Sequence, residues 1–278
     1  MNETPGMAES SPGAVVRRAV AMVRPRLPEL YWPFAVPLAA GTGAVALLQS
    51  LAFGDVLSSA FARQGEPMLP SALALAVVIV LTVLIRAVGY AAMFAAATDL
   101  ATGSQFSTSS AWRFVLTPGR LATVLLASGM VLAGAVALVL PGVILAVLLI
   151  WTVPVMRIEG ASGGRALRTA ADRVLGVGFG PGVARPLADA AALAVGGGVV
   201  AYLVNALVQM PFVLGQQVIL WRNASAGAEA APGALLAGAV WIQVPAAVLG
   251  TLAEAAVMVY VCGALALRYA DTRPSPGE

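Results

Sequence analysis

The sequence predicts an all-α membrane protein, a polytopic transmembrane bundle of about six spans arranged as three hairpins, with amphipathic helices lying on one membrane surface. Three observations predict it. Hydrophobic residues make up 60% of the 278 positions and charged residues only 10%, against roughly 25% charged in ordinary soluble domains, and the mean hydropathy is +0.89. Apolar runs of about 20 residues recur along the chain, the length a helix needs to cross hydrocarbon, where a bare peptide group finds no hydrogen-bond partner. The 16 basic residues are all arginine, and they gather in every second gap between those runs, the bias expected of cytoplasmic segments.

Composition also excludes chemistry. Histidine is absent, which removes the side chain best suited to proton transfer near neutral pH and the commonest metal ligand. No metal or cofactor is expected. Cys262 lies in an apolar run and has no second cysteine to pair with, so it reads as a small buried residue. Nucleic-acid binding would need a clustered, water-exposed basic face interleaved with aromatics, and none is present.

Residues 1–13 are small and polar, with Pro5, Gly6, Pro12 and Gly13, and read as a disordered tail; residues 271–278 read as a short cytoplasmic tail. Between them, the 14–270 membrane domain divides into spans at about 31–53, 71–97, 121–140, 142–158, 187–215 and 235–267. No short basic region leads at once into an apolar core and cleavage site, so the first span is expected to act as an uncleaved anchor. Pro141-Gly142 reads as the tight turn between the third and fourth spans. The fourth span is short, a full crossing or half of a re-entrant hairpin; the nearly unbroken apolar run from Val143 to Val155 favours the crossing.

Three segments read as interfacial helices. In the first, Val15, Val16, Ala19, Val20 and Val23 form a stripe, with Arg17, Arg18 and Arg24 displaced from it. In the second, Ser107 to Ser110 cap a helix whose Ala111, Trp112, Val115 and Leu116 form an apolar face before Pro118-Gly119 ends it. In the third, Ala166, Leu167, Ala170, Ala171 and Val174 lie opposite Arg165, Arg168 and Asp172, and the glycines from Gly176 to Gly182 break the helix. Arg17, Arg18, Arg24, Arg165 and Arg168 are placed to meet anionic lipid. Each pair of spans returns to an acid on the same side: Asp99, Glu159 and Asp271. The first two are followed by Gly103 and Gly160 and then by an Arg-bearing helix, a weak internal repeat that suits three hairpins. Arg63 and Arg222 fall in the opposite loops, so six crossings put both termini in the cytoplasm.

Arg86 and Glu254 are the sharpest local signals, because an ionisable group inside a span costs several kcal/mol unless paired or wet. Arg86 stands thirteen residues before Asp99 and Glu254 fourteen before Arg268, so on two spans running the same way they fall at similar depth and are expected to form an ion pair. Asn205 and Gln209, one turn apart, and Gln243 read as interhelical hydrogen-bonding groups of a polar interior. The many glycines, including Gly196-Gly197-Gly198 and Gly250, allow close helix approach.

The run LPGVILAVLLIWTVPVMRIEGASGGRALRTAADRVLG, Leu140 to Gly176, resembles the membrane domain of bacterial glycerophosphoryl diester phosphodiesterases and related six-span proteins. In that family a Leu-Pro-Gly turn, a short apolar helix, an acid-Gly pair and a helix of small and basic residues follow one another. The Asp99 to Gly103 segment and the ending ALRYADTRPSPGE look like the family's other cytoplasmic corners. The resemblance implies the helical membrane fold; the metal-binding carboxylates and histidines of the family's soluble catalytic barrel have no counterpart here. The expected role is non-enzymatic: a structural or partner-binding module of a bacterial plasma membrane that contacts membrane lipids and a membrane protein partner or a second copy. The alternative is a small-solute or lipid transporter using the polar interior.

Overall fold

The computed structural model describes residues 11–62, 69–176, 185–225 and 232–272. All regular structure among them is helical: α1 (Pro12–Val23), a 3-10 turn (Arg24–Arg26), α2 (Leu27–Ala62), α3 (Leu69–Ala101), α4 (Thr108–Leu116), α5 (Pro118–Ala137), α6 (Val139–Leu148), α7 (Thr152–Pro154) running into a π-helix (Val155–Glu159), α8 (Gly163–Val174), α9 (Arg185–Ser225) and α10 (Pro232–Asp271). Among the described residues six stretches are long and apolar enough to cross a membrane: Pro12–Ser50, Ala76–Ala101, Pro118–Ala137, Val139–Glu159, Leu187–Val218 and Val240–Asp271. This is a multi-pass membrane protein. Large apolar side chains such as Val36, Leu48, Leu203 and Leu207 point outward, as helices surrounded by hydrocarbon require.

The helices outrun the spans read from hydropathy, because capping rather than apolarity sets where a helix ends. Ser11 accepts a hydrogen bond from the Ala14 amide at 3.2 Å, and Pro12 occupies the first turn, where its missing N–H costs nothing. Helix α1 therefore starts inside the segment read as a disordered tail; residues 1–10 lie outside the described residues, as do 273–278. Asp271 closes α10 instead of opening a tail.

One internal boundary also differs, and another falls where the sequence put it. The α5–α6 hairpin turns at Leu138, which is extended, and not at Pro141-Gly142. Proline is harmless in the first turn of α6, and Gly142 serves close packing: a Cβ there would come within 2.7 Å of Ala135 backbone atoms. Helix α4 ends at Leu116, before Pro118, because proline drives the preceding Thr117 into extended backbone; Pro118 then opens α5.

Two compact units divide the chain. Unit 1 comprises Met1–Phe34, Ala87–Ala201 and Ala255–Glu278; unit 2 comprises Ala35–Arg86 and Tyr202–Glu254. Trp151, Tyr269, Phe34 and Met156 are fully buried in unit 1. Trp151 meets Tyr269 edge-on at 5.6 Å and Phe34 stacks on Trp112 at 5.7 Å, contacts that add about 1 kcal/mol each beyond burial. The amphipathic helices pack their apolar faces within this unit. Helix α1 buries Val15, Ala19 and Val23 but leaves Val16 and Val20 outward, so its buried stripe is narrower than expected. Helix α4 buries Ala111, Phe114 and Val115, with Leu116 turned out. Helix α8 buries Ala166, Leu167, Ala170 and Val174.

Candidate functional site

Unit 2 holds a polar chain across three helices. The Arg86 guanidinium of α3 meets the Glu254 carboxylate of α10, with Nη2 3.2 Å from Oε2 and Nη1 donating to Oε1 at 3.4 Å. Asn205 of α9 donates from Nδ2 to Glu254 Oε2 at 2.8 Å, and Gln209 Nε2 donates to Asn205 Oδ1 at 2.6 Å. Gly250 makes room for them, since a Cβ at that position would lie 2.6 Å from Gln209 Nε2. The Arg86 Nε and the Thr251 hydroxyl are buried without a partner among the described residues. Elsewhere in the unit, the Ser50 hydroxyl lies 2.9 Å from both the Ala46 carbonyl and the Gln243 side-chain oxygen. One hydroxyl proton cannot serve both, and turning the Gln243 amide over resolves it: its NH2 donates to Ser50 while Ser50 donates to Ala46.

Unit 1 carries a set of arginine and acid pairs that link α1, α3, the π-helix, α8, α9 and α10. The π-helix, whose wider turn is a recurrent feature of functional segments, presents Arg157 to Asp99. Nε donates to Oδ1 and Nη2 to Oδ2, each at 2.7 Å, in the two-pronged geometry that suits a guanidinium and a carboxylate. Arg157 Nη2 also donates to the Ser110 hydroxyl at 2.9 Å. Glu159 accepts a short hydrogen bond from the Tyr269 hydroxyl and lies 3.4 Å from Arg173 Nη2. Arg268 Nη2 donates to Asp189 Oδ2 at 2.5 Å, both residues buried. Arg18 donates to both oxygens of Asp271, at 2.9 and 3.1 Å.

Local structure explains the placement of the corner acids. Gly103 and Gly160 both adopt left-handed backbone, with φ of 69° and 67°, where a side chain would be strained. At the first corner Ser104 N–H returns to the Asp99 carbonyl and Gly103 N–H to Leu100, closing α3. The weak repeat therefore has a counterpart in backbone geometry. Gly163 N–H then donates to the Thr123 hydroxyl at 2.7 Å, fastening the start of α8 to α5.

Of the residues singled out from sequence, Arg86, Glu254, Asn205 and Gln209 come together, and Gln243 joins Ser50 separately. Asp99, Glu159 and Asp271 each meet a different arginine. Arg17, Arg24, Arg165 and Arg168 are exposed on unit 1, with Arg168 3.9 Å from Asp172. Sequence reasoning missed Asp189, Ser110 and Tyr269. Asp189 carried a usable signal: like Glu254, it is an acid inside an apolar run and needs a partner. Trp112 was read as part of an apolar face, yet its indole donates to the Pro33 carbonyl at 3.3 Å. Pro37 lies four residues on and has no N–H to offer that carbonyl, so the indole supplies the missing donor.

No metal-binding group of three or more acids or cysteines occurs among the described residues. No family model matches the chain, and neither does any curated protein or solved structure.

Proposed function

We propose that this chain is a structural or partner-binding module of a bacterial plasma membrane, without catalytic activity, with both termini cytoplasmic and its Arg-bearing helices against anionic lipid. The polar chain of unit 2 supports this reading best. Arg86 is engaged by Glu254, the second Glu254 oxygen takes the Asn205 amide, and the Asn205 carbonyl takes the Gln209 amide. Groups bonded to one another pin α3, α9 and α10 together, as a scaffold requires. A second reading, a small-solute or lipid transporter, draws on the buried Arg86 Nε that has no partner among the described residues.

Reconstitution in vesicles separates the two. The scaffold predicts no flux of protons or small ions and no flipping of a fluorescent lipid beyond protein-free vesicles, with the double variant Arg86→Leu/Glu254→Leu behaving identically. Flux in the native chain that the double variant loses would establish transport. The orientation has its own test in cells carrying Cys262→Ala: a cysteine at Gln64 reacts with an impermeant label from outside and one at Ser162 does not. The reverse pattern would invert the topology.

A further inference from the structure

Beside the Asp99–Arg157 pair in unit 1 lies an open hollow of about 350 Å³ lined by Ser109, Ser110, Arg113, Phe114, Arg120 and Arg157. Its charge is unbalanced. Arg157 commits Nε and Nη2 to Asp99 and Ser110, which leaves Nη1 free to donate. Among the described residues no carboxylate lies within ion-pair distance of Arg113 or Arg120, and Asp99 is already held by Arg157. Three guanidiniums against one carboxylate leave an excess of about two positive charges on a small rim.

The rim is also held in shape. The guanidinium carbon of Arg120 lies 4.1 Å from the centre of the buried Phe114 ring, and that of Arg157 lies 4.7 Å from it. Two like charges against one ring repel each other, and stacking on the aromatic face offsets only part of that cost. An anion between them would relieve it. The hydroxyls of Ser109 and Ser110 add donors, and α4 begins at the same place without a side-chain cap on its first turn, where unsatisfied N–H groups favour negative charge. Fixing the planar forks before a ligand arrives lowers the ordering cost of binding it.

We propose that this hollow binds a phosphomonoester. Such a group carries about −1.5 to −2 charge near neutral pH and three strong acceptor oxygens, which matches the two uncompensated arginines better than the single charge of a phosphodiester. Two sources offer that chemistry, a membrane lipid with a terminal phosphate or a soluble phosphate ester. The position favours the lipid: Arg120 sits at the start of the span Pro118–Ala137, the depth of the headgroups. The assignment rests on the preceding reading only in placing this end of unit 1 at the membrane surface, and it stands or falls separately from the flux measurements.

The test uses the full chain in nanodiscs of neutral lipid doped either with phosphatidic acid or with phosphatidylglycerol at matched surface charge, alongside titration with glycerol 3-phosphate. Binding is read from the lipid or ester retained in native mass spectra. The expected result is at least tenfold tighter binding of phosphatidic acid than of phosphatidylglycerol, reduced at least tenfold by Arg120→Gln and by Arg113→Gln. Arg26→Gln, in the exposed 3-10 turn before α2, leaves it unchanged. Saturable binding of glycerol 3-phosphate with the same dependence on Arg113 and Arg120 assigns the site to a soluble ester instead. Equal affinity for the two lipids, equal sensitivity to all three substitutions, or no binding to any probe overturns the proposal. Unchanged thermal unfolding of the variants shows that lost binding is not lost fold.

Discussion

The polar chain of unit 2 and the set of ion pairs in unit 1 solve one problem in two ways. In unit 2 a single charged pair, Arg86 with Glu254, is supported by the neutral amides of Asn205 and Gln209. In unit 1 five arginines, Arg18, Arg157, Arg173, Arg268 and the partly stacked Arg120, occur with Asp99, Glu159, Asp189 and Asp271. An isolated charge in an apolar helix can be matched by depth alone, since few partners exist. Where arginines and acids are abundant, depth leaves many pairings open, and the backbone decides among them. The difference teaches that a charge is most predictable where it is most expensive.

Stability measurements can break this comparison. The largest effect is expected from Arg268→Leu in unit 1. Both members of the Arg268–Asp189 pair are about one-tenth exposed, and an uncompensated buried carboxylate typically costs about 3–5 kcal/mol. Chemical unfolding in mixed micelles reads this loss, and adding Asp189→Leu should restore much of it. A loss below about 1 kcal/mol would show that water reaches Asp189.

Arg86→Leu in unit 2 should cost less, about 2–3 kcal/mol, because Glu254 keeps the Asn205 amide as a donor. The double variant Arg86→Leu/Glu254→Leu should come close to the native stability. Additive single effects in the double-mutant cycle would mean that the two groups do not share a contact. The exposed Arg168→Gln marks the bottom of the scale, within about 0.5 kcal/mol, since its Asp172 partner is 3.9 Å away on an open face. If Arg168→Gln rivals Arg86→Leu, the contrast between enclosed and open charges fails.

Particular residues show where sequence reading stopped. Asp99 and Glu159 stood out as corner acids, but Arg157 joins Asp99 across 58 positions because a π-helix rotates the end of its segment. A local change of helix type leaves no mark in hydropathy. Pro141-Gly142 looked like a turn because both residues favour turns; it became the first turn of α6 because the close approach of Ala135 demanded a residue without a side chain. The loss of a hydrogen bond at Pro33 was readable from Pro37, whereas the donor that replaces it, Trp112, comes from 79 positions away.

By itself the sequence determined the solvent, the helical class, the approximate spans and the cost of leaving Arg86 or Glu254 alone. All of these follow from local composition: apolar length sets what can cross hydrocarbon, and a charge in such a run needs a partner wherever the helix goes. Only the tertiary structure decided which arginine meets which acid, that the α5–α6 hairpin turns at Leu138, and that Arg113, Arg120 and Arg157 line one hollow around Phe114. These depend on which helix faces touch, and contacts between segments far apart in sequence are selected by packing of the whole chain, which no single window of residues contains.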